Sequence, residues 1–430
     1  MFFTFNFFLT LGSDCRRILI LFCLIFMVLS VYAQPNADSL PITALVAKGM
    51  IDVRTGKVVE RVVVLIRDGK VLQVGSGLKI PNNATLIKLA DSYIIPGLVD
   101  AHSHLCHDYS YDLEKVPGSN IITETVMLND AARAMLGVKN ARSLIMAGFT
   151  TARDLGNSGT NADVALKKAI TEGWTVGPRL YVATRALSPI GGQYPRMDIE
   201  LQRSVISREY VEINGAADAH RAVRQAIFDG ADCIKIIVNN DRLVLNEEEL
   251  TAIVQESKRA GLRVAAHATQ GDGPALLAIK AGVNSIEHGY TLSEAVLKMM
   301  ASEGIYLVPT DRRGVSRYQQ RIQRALAAGV KIAFGSDMYY QDPNLNRGQV
   351  TVGTYRSYIE AGMTNLQILQ SATMHPGSLV AGEGKIGLIE PGYFADIIAV
   401  AENPLENILT LEKVHFVMKE GVVVKNDTKK

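Results

Sequence analysis

A repeating unit of amphipathic helix, glycine and short apolar strand runs through the middle of the chain, and it restricts the fold more than any other feature. From Gly230 onward the repeat glycines are 21 to 31 residues apart, the length of one helix, one strand and two loops. Counted with "YIIPGLVD" at the front, eight strand-like runs alternate with helices, which predicts an α/β fold built on a parallel (β/α)8 TIM barrel. The repeat glycines are Gly148, Gly177, Gly230, Gly261, Gly282, Gly304 and Gly329.

An open doubly wound sheet is the alternative arrangement of the same elements. In such a sheet a glycine-rich phosphate-binding loop commonly follows the first strand, but here "AHSHLCHD" follows it. The barrel is therefore favoured. The helix before Gly261 shows the expected punctuation, because Asn246 is a candidate N-cap and Glu249 closes a capping box three residues later.

The two ends of the chain have a different pattern from the middle. Val62 to Gly75 and His415 to Asn426 each form a pair of strand-like runs that turn on Asp68-Gly69 and Glu420-Gly421. We expect a small β-sandwich domain formed by both termini. The predicted boundaries are 1–33 for a signal peptide, 34–95 for the first part of the sandwich, 96–382 for the barrel and 383–430 for the second part of the sandwich.

The first 33 residues have the pattern of a signal peptide. Arg16 and Arg17 precede the apolar run "ILILFCLIFMVLSV", and the small Ala33 precedes a candidate cleavage site. We expect the protein to be exported, to periplasm or medium, with no stable membrane span after cleavage; a retained anchor is the alternative, although the run is short of the roughly 20 residues that a span needs. Cys106 and Cys233 would then be the remaining cysteines, which is too few for a disulfide framework.

The charge balance bears on the class of partner. The 45 Lys and Arg residues nearly match the 43 Asp and Glu residues, and no basic stripe or acidic tail stands out. Nucleic acid is therefore not expected as a partner, and a small molecule is the expected ligand. Homo-oligomerisation is left open by the sequence.

The candidate catalytic and metal-binding residues recur at nearly the same distance after the repeat glycines. Asp154, His267 and His288 stand six positions after their glycines, Lys235 five and Asp337 eight. This register places them at or near the carboxyl ends of different strands, the face on which barrels of this kind carry active sites.

The first strand ends in a histidine pair that indicates a metal site. His102 and His104 are two residues apart, so on a strand both side chains point to the same face. Lys235, in the apolar strand "CIKIIV", needs a chemical reason or a partner, because an unpaired buried ammonium is costly. A neutral amine can form a carbamate that bridges two cations; an ordinary ion pair inside the barrel is the alternative.

With these residues in this order, the chain resembles members of the amidohydrolase superfamily. "IIPGLVDAHSH" leads into the predicted barrel and "IEPGYFADIIAV" returns to the sandwich, as in that superfamily. The resemblance implies two divalent cations, for which imidazole and carboxylate ligands favour zinc, and a proton-transfer role for Asp337. The implied ligands form three groups: His102, His104 and Asp337 for the first cation, His267 and His288 for the second, and carboxylated Lys235 as the bridge.

The likeness is strongest to exported prolidase-like dipeptidases and carboxypeptidases and to imidazolonepropionase-like hydrolases. It implies hydrolysis of an amide bond in dipeptides or N-acyl amino acids. One departure concerns substrate binding, since those relatives usually read Gly-Gly-His where Gln193 follows two glycines here. Gln193 can donate a hydrogen bond but carries no charge, so a substrate carboxylate would need another partner. The candidate positively charged side chains for this carboxylate are Arg185, Arg196, Arg312 and Arg313.

Two other functions remain open from the sequence. The first is a one-metal cyclic-amide hydrolase or deaminase, in which Lys235 would stay an unmodified amine. The second is a non-catalytic binding protein on the same barrel, although all six candidate ligand residues are present.

Two other polar residues near the candidate ligands are expected to be structural. His107 has the opposite strand parity to His104 and is expected in the loop, and Asp154 is expected to support the strand end.

Overall fold

The computed structural model describes residues 41–110, 118–311 and 316–429. The expected signal peptide and its cleavage near Ala33 lie outside these ranges, as do Arg312 and Arg313. Across the described ranges, no helix combines the length and the apolar character needed to cross a bilayer.

The described strands run in chain order from the amino-terminal sheet through the barrel to the carboxyl-terminal hairpin. They are β1 (Thr43–Asp52), β2 (Lys57–Arg67), β3 (Lys70–Ser76), β4 (Thr85–Pro96), β5 (Leu98–Ser103), β6 (Tyr109–Ser110), β7 (Phe149–Asp154), β8 (Arg179–Val182), β9 (Ala186–Ser188), β10 (Tyr210–Glu212), β11 (Cys233–Ile237), β12 (Arg263–Ala268), β13 (Ser285–His288), β14 (Tyr306–Val308), β15 (Tyr340–Gln341), β16 (Ile397–Val400), β17 (Phe416–Lys419) and β18 (Val422–Asn426).

The described α-helices lie between the barrel strands and after the last of them. Their bounds are Ile121–Met127, Asp130–Met146, Ala162–Thr171, Ile199–Glu209, Ala216–Asp229, Glu247–Arg259, Asp272–Ala281, Glu294–Ser302, Ser316–Ala327, Arg347–Gly353, Tyr355–Glu360, Asn365–Ala372 and Met374–Ala381.

The barrel is closed by backbone hydrogen bonds between parallel strands. β5, β7 and β8 pair in that order, and β11, β12, β13 and β14 pair in the same way. The amide of Asp232 donates to Val182 O (2.8 Å) and so joins β8 to β11. The segment 331–334 is the eighth strand, because Leu307 N donates to Lys331 O (3.0 Å) and Ala101 N donates to Phe334 O (2.8 Å). The predicted (β/α)8 barrel is confirmed.

Local sequence signals fix the helices where they were expected. Asn246 caps the helix Glu247–Arg259, and its reciprocal hydrogen bonds with Glu249 form the predicted capping box. The helices before β11 and β13 end on Gly230 and Gly282, whose φ angles of 103° and 91° are disfavoured for residues with a Cβ.

The two termini build one seven-stranded sheet, in the order β18-β17-β16-β4-β1-β2-β3. β16 pairs antiparallel with β4, which confirms the predicted contact between the two ends of the chain. Both predicted hairpin turns have positive φ at their two central residues, Asp68 and Gly69 in one and Glu420 and Gly421 in the other.

The β-domain and the barrel share a core and a charged contact. Ile95 and Ile398 of the sheet belong to the same buried cluster as Phe149 of the barrel. At the edge of this contact, Arg179 of β8 binds Asp396 (2.6 Å) and Glu420 (2.7 Å). The barrel is thereby held to the sheet at its amino-terminal end, and the opposite end is left for the site.

Candidate active site

The six residues singled out as ligands line one cavity at the carboxyl ends of the barrel strands. Its volume is about 210 Å³. These candidate ligands lie at or just beyond the ends of five barrel strands and are up to 235 positions apart in the sequence. They are His102, His104, Lys235, His267, His288 and Asp337.

The distances within this cluster suit cation binding. Asp337 Oδ1 lies 3.1 Å from His104 Nε2 and 3.4 Å from His102 Nε2. The rings of His267 and His288 are in edge-on contact, with centroids 4.5 Å apart. One ligand atom each from His102, His288 and Asp337 lies within 4.8 Å of the others. These donors can converge on a divalent ion with small side-chain movements.

Each of three histidines is oriented by a hydrogen bond at Nδ1. His102 Nδ1 lies 2.7 Å from Glu287 Oε2, and His104 Nδ1 lies 2.8 Å from the carbonyl oxygen of Gly156. His288 Nδ1 lies 2.8 Å from the hydroxyl of Thr310, which donates its own proton to a backbone carbonyl. All three acceptors require a proton on Nδ1, so in the neutral form of each imidazole the lone pair is on Nε2, as in most histidine metal sites.

Burial sets the protonation states of the ligands. It lowers the pKa of His102 and His288 well below 6.5 and that of His267 to about 3, and the positive charge of Lys235 adds to the effect at His102 and His267. These imidazoles are therefore neutral near pH 7, which is the form that binds metals. Burial also lowers the pKa of Lys235 to about 8, so a neutral amine fraction exists near neutral pH.

Two of the candidate ligands have an unfavourable backbone conformation at the strand ends, where their side chains line the cavity. His288 and Asp337 have φ angles of 67° and 49°, which are uncommon for residues other than glycine. Asp337 N donates to His102 O (2.7 Å) and so ties the eighth strand segment to the first strand. A Cβ at Gly335 would lie 2.7 Å from His102 Cβ, so glycine permits this close approach.

The amidohydrolase family model matches residues 93–424, which span the barrel and most of the carboxyl-terminal part of the sheet. The chain belongs to the amidohydrolase family. It is therefore a hydrolase that acts on carbon–nitrogen bonds of the amide type.

Individual relatives of this amidohydrolase act on different substrates. Ochratoxinase from Aspergillus niger is 29% identical over 444 residues, which cover 91% of this chain and 88% of that protein. An imidazolonepropionase from Alkaliphilus metalliredigens is 24% identical over 87% of this chain and 92% of that protein. The solved structure of a Xaa-Pro dipeptidase with bound methionine is 30% identical, with a TM-score of 0.76, and covers 90% of this chain and 100% of that chain.

Sequence reasoning missed two buried residues that support the candidate ligands of this amidohydrolase. Glu287 accepts from His102 and also from Arg153 Nη2 (2.9 Å), and both side chains are at most 1% exposed. Arg153 Nε donates to Ala101 O (2.6 Å), next to His102 in the first barrel strand. The available signal was a charged residue inside each of two apolar strand runs, "FTTARD" and "SIEH", directly before a residue already chosen for its chemistry.

Of the two residues predicted to bind substrate, Gln193 lines the cavity and Arg185 does not. Gln193 lines the cavity with its Nε2 3.1 Å from His267 Nε2, and the hydroxyl of Tyr210 donates to its Oε1 (3.4 Å). Arg185 is not among the residues that line the cavity, and its Nη1 donates to Ser207 O (3.0 Å). Its substrate role stays a prediction.

Two neighbours of the ligands act as expected from the sequence. His107 is buried in the loop after β5 and does not line the cavity. Asp154 accepts from the amide of Leu105 (2.7 Å) and from the hydroxyl of Ser158 (3.1 Å), so it supports the end of β7.

Proposed function

We propose that this amidohydrolase is a two-metal hydrolase of an amide bond in dipeptides or N-acyl amino acids. The observation that carries the proposal is the convergence of four histidines, a lysine and an aspartate on one cavity at the strand ends. His102, His104 and Asp337 would hold one cation, and His267 and His288 would hold the other. The nitrogen and oxygen donors suit zinc.

Lys235 is proposed to be the bridge, as a carbamate. Its side chain is 3% exposed and lines the cavity, and its lowered pKa provides the neutral amine that the modification needs. The amine nitrogen attacks the carbon of carbon dioxide and loses one proton, which gives a carbamate with two oxygen donors. This change would replace a buried ammonium with an anion beside the bound cations, and so remove the cost of burying the ammonium charge.

The chain's own residues then supply positioning and proton transfer. The bound cations would generate a nucleophile from water near neutral pH and polarise the scissile carbonyl. Asp337, whose side chain is 14% exposed and faces the cavity, accepts the proton of the attacking water and delivers it to the leaving nitrogen. Gln193 Nε2, steered by Tyr210, donates a hydrogen bond to an oxygen of the bound substrate.

The similar proteins support an amide substrate, and the Xaa-Pro dipeptidase among them supports a dipeptide. The Xaa-Pro dipeptidase structure matches 90% of this chain with 100% of its own length. The similarity to imidazolonepropionase supports a second candidate, a one-metal hydrolase of a cyclic amide. We also propose that the mature enzyme begins after Ala33 and acts outside the cytoplasm, because residues 1–33 have the pattern of a signal peptide.

The deciding experiment combines metal analysis with a substrate screen. The mature chain is reconstituted with zinc in bicarbonate buffer, and its zinc content and the ¹³C signal of a labelled carbamate are measured. Xaa-Pro, Xaa-Arg and Xaa-hydrophobic dipeptides, N-acyl amino acids and cyclic amides are then assayed, with Asp337→Asn as the inactive control.

Each outcome favours one function. Two zinc ions per chain, a carbamate signal and dipeptide or N-acyl amino acid turnover are expected. One zinc ion without a carbamate, together with cyclic-amide turnover, would replace our proposal with the second candidate. Full zinc loading without turnover of any substrate would favour a binding protein.

A further inference from the structure

A buried ion pair lies behind one wall of the active-site cavity. Arg133 Nη1 is 2.6 Å from Glu209 Oε1, and the two side chains are 1% and 0% exposed. Neither residue lines the cavity. Removing such a charge pair from water costs desolvation free energy, and the neighbours that it holds in place line the cavity.

The pair holds Tyr194 through a single threonine. Thr125 Oγ1 lies 2.8 Å from Tyr194 OH, 3.2 Å from Glu209 Oε1 and 2.8 Å from the carbonyl oxygen of Ile121. A hydroxyl has one proton, and the carboxylate and the carbonyl can only accept. Thr125 therefore gives its proton to one of them, and it accepts the proton of Tyr194.

This assignment decides what Tyr194 offers to the cavity. Its hydroxyl proton is directed at Thr125, so its ring is the surface left for a bound molecule. Burial raises the pKa of Tyr194 well above its usual value of 10, so the phenol remains protonated and keeps this donation at any working pH. The ring of Tyr210 packs edge-on against it, with centroids 5.4 Å apart.

Other segments of the same wall are tied to Glu209. Glu209 Oε2 accepts from Gly159 N (3.2 Å), in the loop where Asn157 lines the cavity. Ile121 lines the cavity from the helix that carries Thr125, and Tyr210 follows Glu209 directly. One buried carboxylate thus anchors segments from four places in the sequence, which present Ile121, Asn157 and the rings of Tyr194 and Tyr210 to the cavity.

We infer that Glu209, paired with Arg133 and acting through Thr125, is a positioning residue that fixes Tyr194 as the wall receiving an uncharged, apolar side chain of the substrate. The inference rests on the proposed amide hydrolysis and deepens it by naming the substrate class. It does not involve the metal ligands, so it predicts changes in substrate binding at constant zinc content.

The experiment uses substrates that differ in polarity but little in shape. Leu-Ala and Ala-Leu are compared with Asn-Ala and Ala-Asn, since leucine and asparagine side chains are close in size. The variants are Thr125→Val, which removes the hydroxyl, and Thr125→Ser, which restores it. Thr351→Val is the matched control, because the hydroxyl of Thr351 is buried and has no hydrogen-bond partner among the described residues.

For the natural chain, we expect kcat/KM for one of the leucine substrates to exceed that of its asparagine counterpart at least tenfold. Thr125→Val should raise KM for that substrate about three- to tenfold, with kcat and zinc content nearly unchanged. Thr125→Ser and Thr351→Val should both behave as the natural chain. Unchanged KM and selectivity in Thr125→Val, or an equal loss in Thr351→Val, would overturn the inference.

Hydrogen–deuterium exchange separates a failure of this inference from a failure of the proposed function. If no dipeptide is hydrolysed by the zinc-loaded natural chain, the proposed function fails. The positioning role is then judged by exchange in segment 189–194 of Thr125→Val. Faster exchange in 189–194 than in the natural chain, with unchanged exchange in 263–268, supports the positioning role. Exchange equal to that of the natural chain in both segments overturns it.

Discussion

The Nδ1 atom of His102 lies 2.7 Å from Oε2 of Glu287, and both side chains are at most 1% exposed. The second oxygen of Glu287 accepts from Arg153, so the carboxylate stays in place between an imidazole and a guanidinium. This arrangement fixes both the tautomer and the ring orientation of a proposed metal ligand.

Replacing Glu287 by glutamine should therefore weaken metal binding. The amide oxygen of the new side chain could still accept from His102, but the amide has no charge to match Arg153 or to raise the basicity of the imidazole. We expect zinc affinity to fall about 10- to 100-fold, measured by competition with a chelator. Glu303→Gln, at an exposed position, is the control. Equal affinities in a folded Glu287→Gln protein would contradict the assigned role.

Asp337→Asn tests the proposed proton transfer. An amide cannot take the proton of the attacking water, so turnover of the best substrate should fall about 10²- to 10⁴-fold. The measurement is kcat at saturating zinc, with circular dichroism as the check on folding. Asp342→Asn, in the loop beyond β15, should retain the activity of the natural chain. Substantial residual activity in Asp337→Asn would assign the proton transfer to another group.

The sequence was sufficient to predict which residues share the cavity because their signals are local. The pair His102 and His104 follows from strand parity, and His267 and His288 follow from their distance to a repeat glycine. Lys235 was conspicuous because a lysine is rare in an apolar strand. The hairpins of the β-domain were equally readable from their Asp-Gly and Glu-Gly turns.

The supporting contacts could not be predicted because they join distant positions. Arg153 and Glu287 are 134 residues apart, and nothing near either residue identifies the other as its partner. The contact between Thr125 and Tyr194 joins a short helix to a turn 69 residues further along the chain, and no local pattern in either segment identifies the other. The positive φ angles of His288 and Asp337 are likewise consequences of tertiary packing.

Glu256 gives a pH-dependent test of the barrel's outer surface. Hydrogen bonds from Arg224 lower the pKa of Glu256 to about 2 from its usual 4.5. A carboxyl group whose folded pKa is lowered contributes stability that is present above about pH 4.5 and is lost as the pH falls through about 2. In Glu256→Gln, the melting temperature should thus lie below that of the natural chain at pH 7, and the gap should narrow below pH 4.5. A gap that is the same at pH 7 and pH 3 would contradict this account.

Gly335→Ala tests the close packing of the eighth strand segment against the first. The added Cβ would lie 2.4 Å from Val308 Cγ1 and 2.7 Å from His102 Cβ, so one of the strands must shift. We expect a loss of about 1 to 3 kcal/mol in the free energy of unfolding, from denaturant titration of the metal-free protein. Zinc affinity should also fall, because the shift moves His102.

Gly353→Ala is the matched control for this substitution. Gly353 ends the helix Arg347–Gly353, has no neighbouring atom within 4 Å of an added Cβ and does not have a positive φ. Alanine there should be neutral or stabilising by up to about 1 kcal/mol, since it favours the helical backbone more than glycine does. If both alanine variants lose stability equally, steric conflict at Gly335 is not the cause. If Gly335→Ala alone loses stability but keeps its zinc affinity, the strand shift does not reach His102.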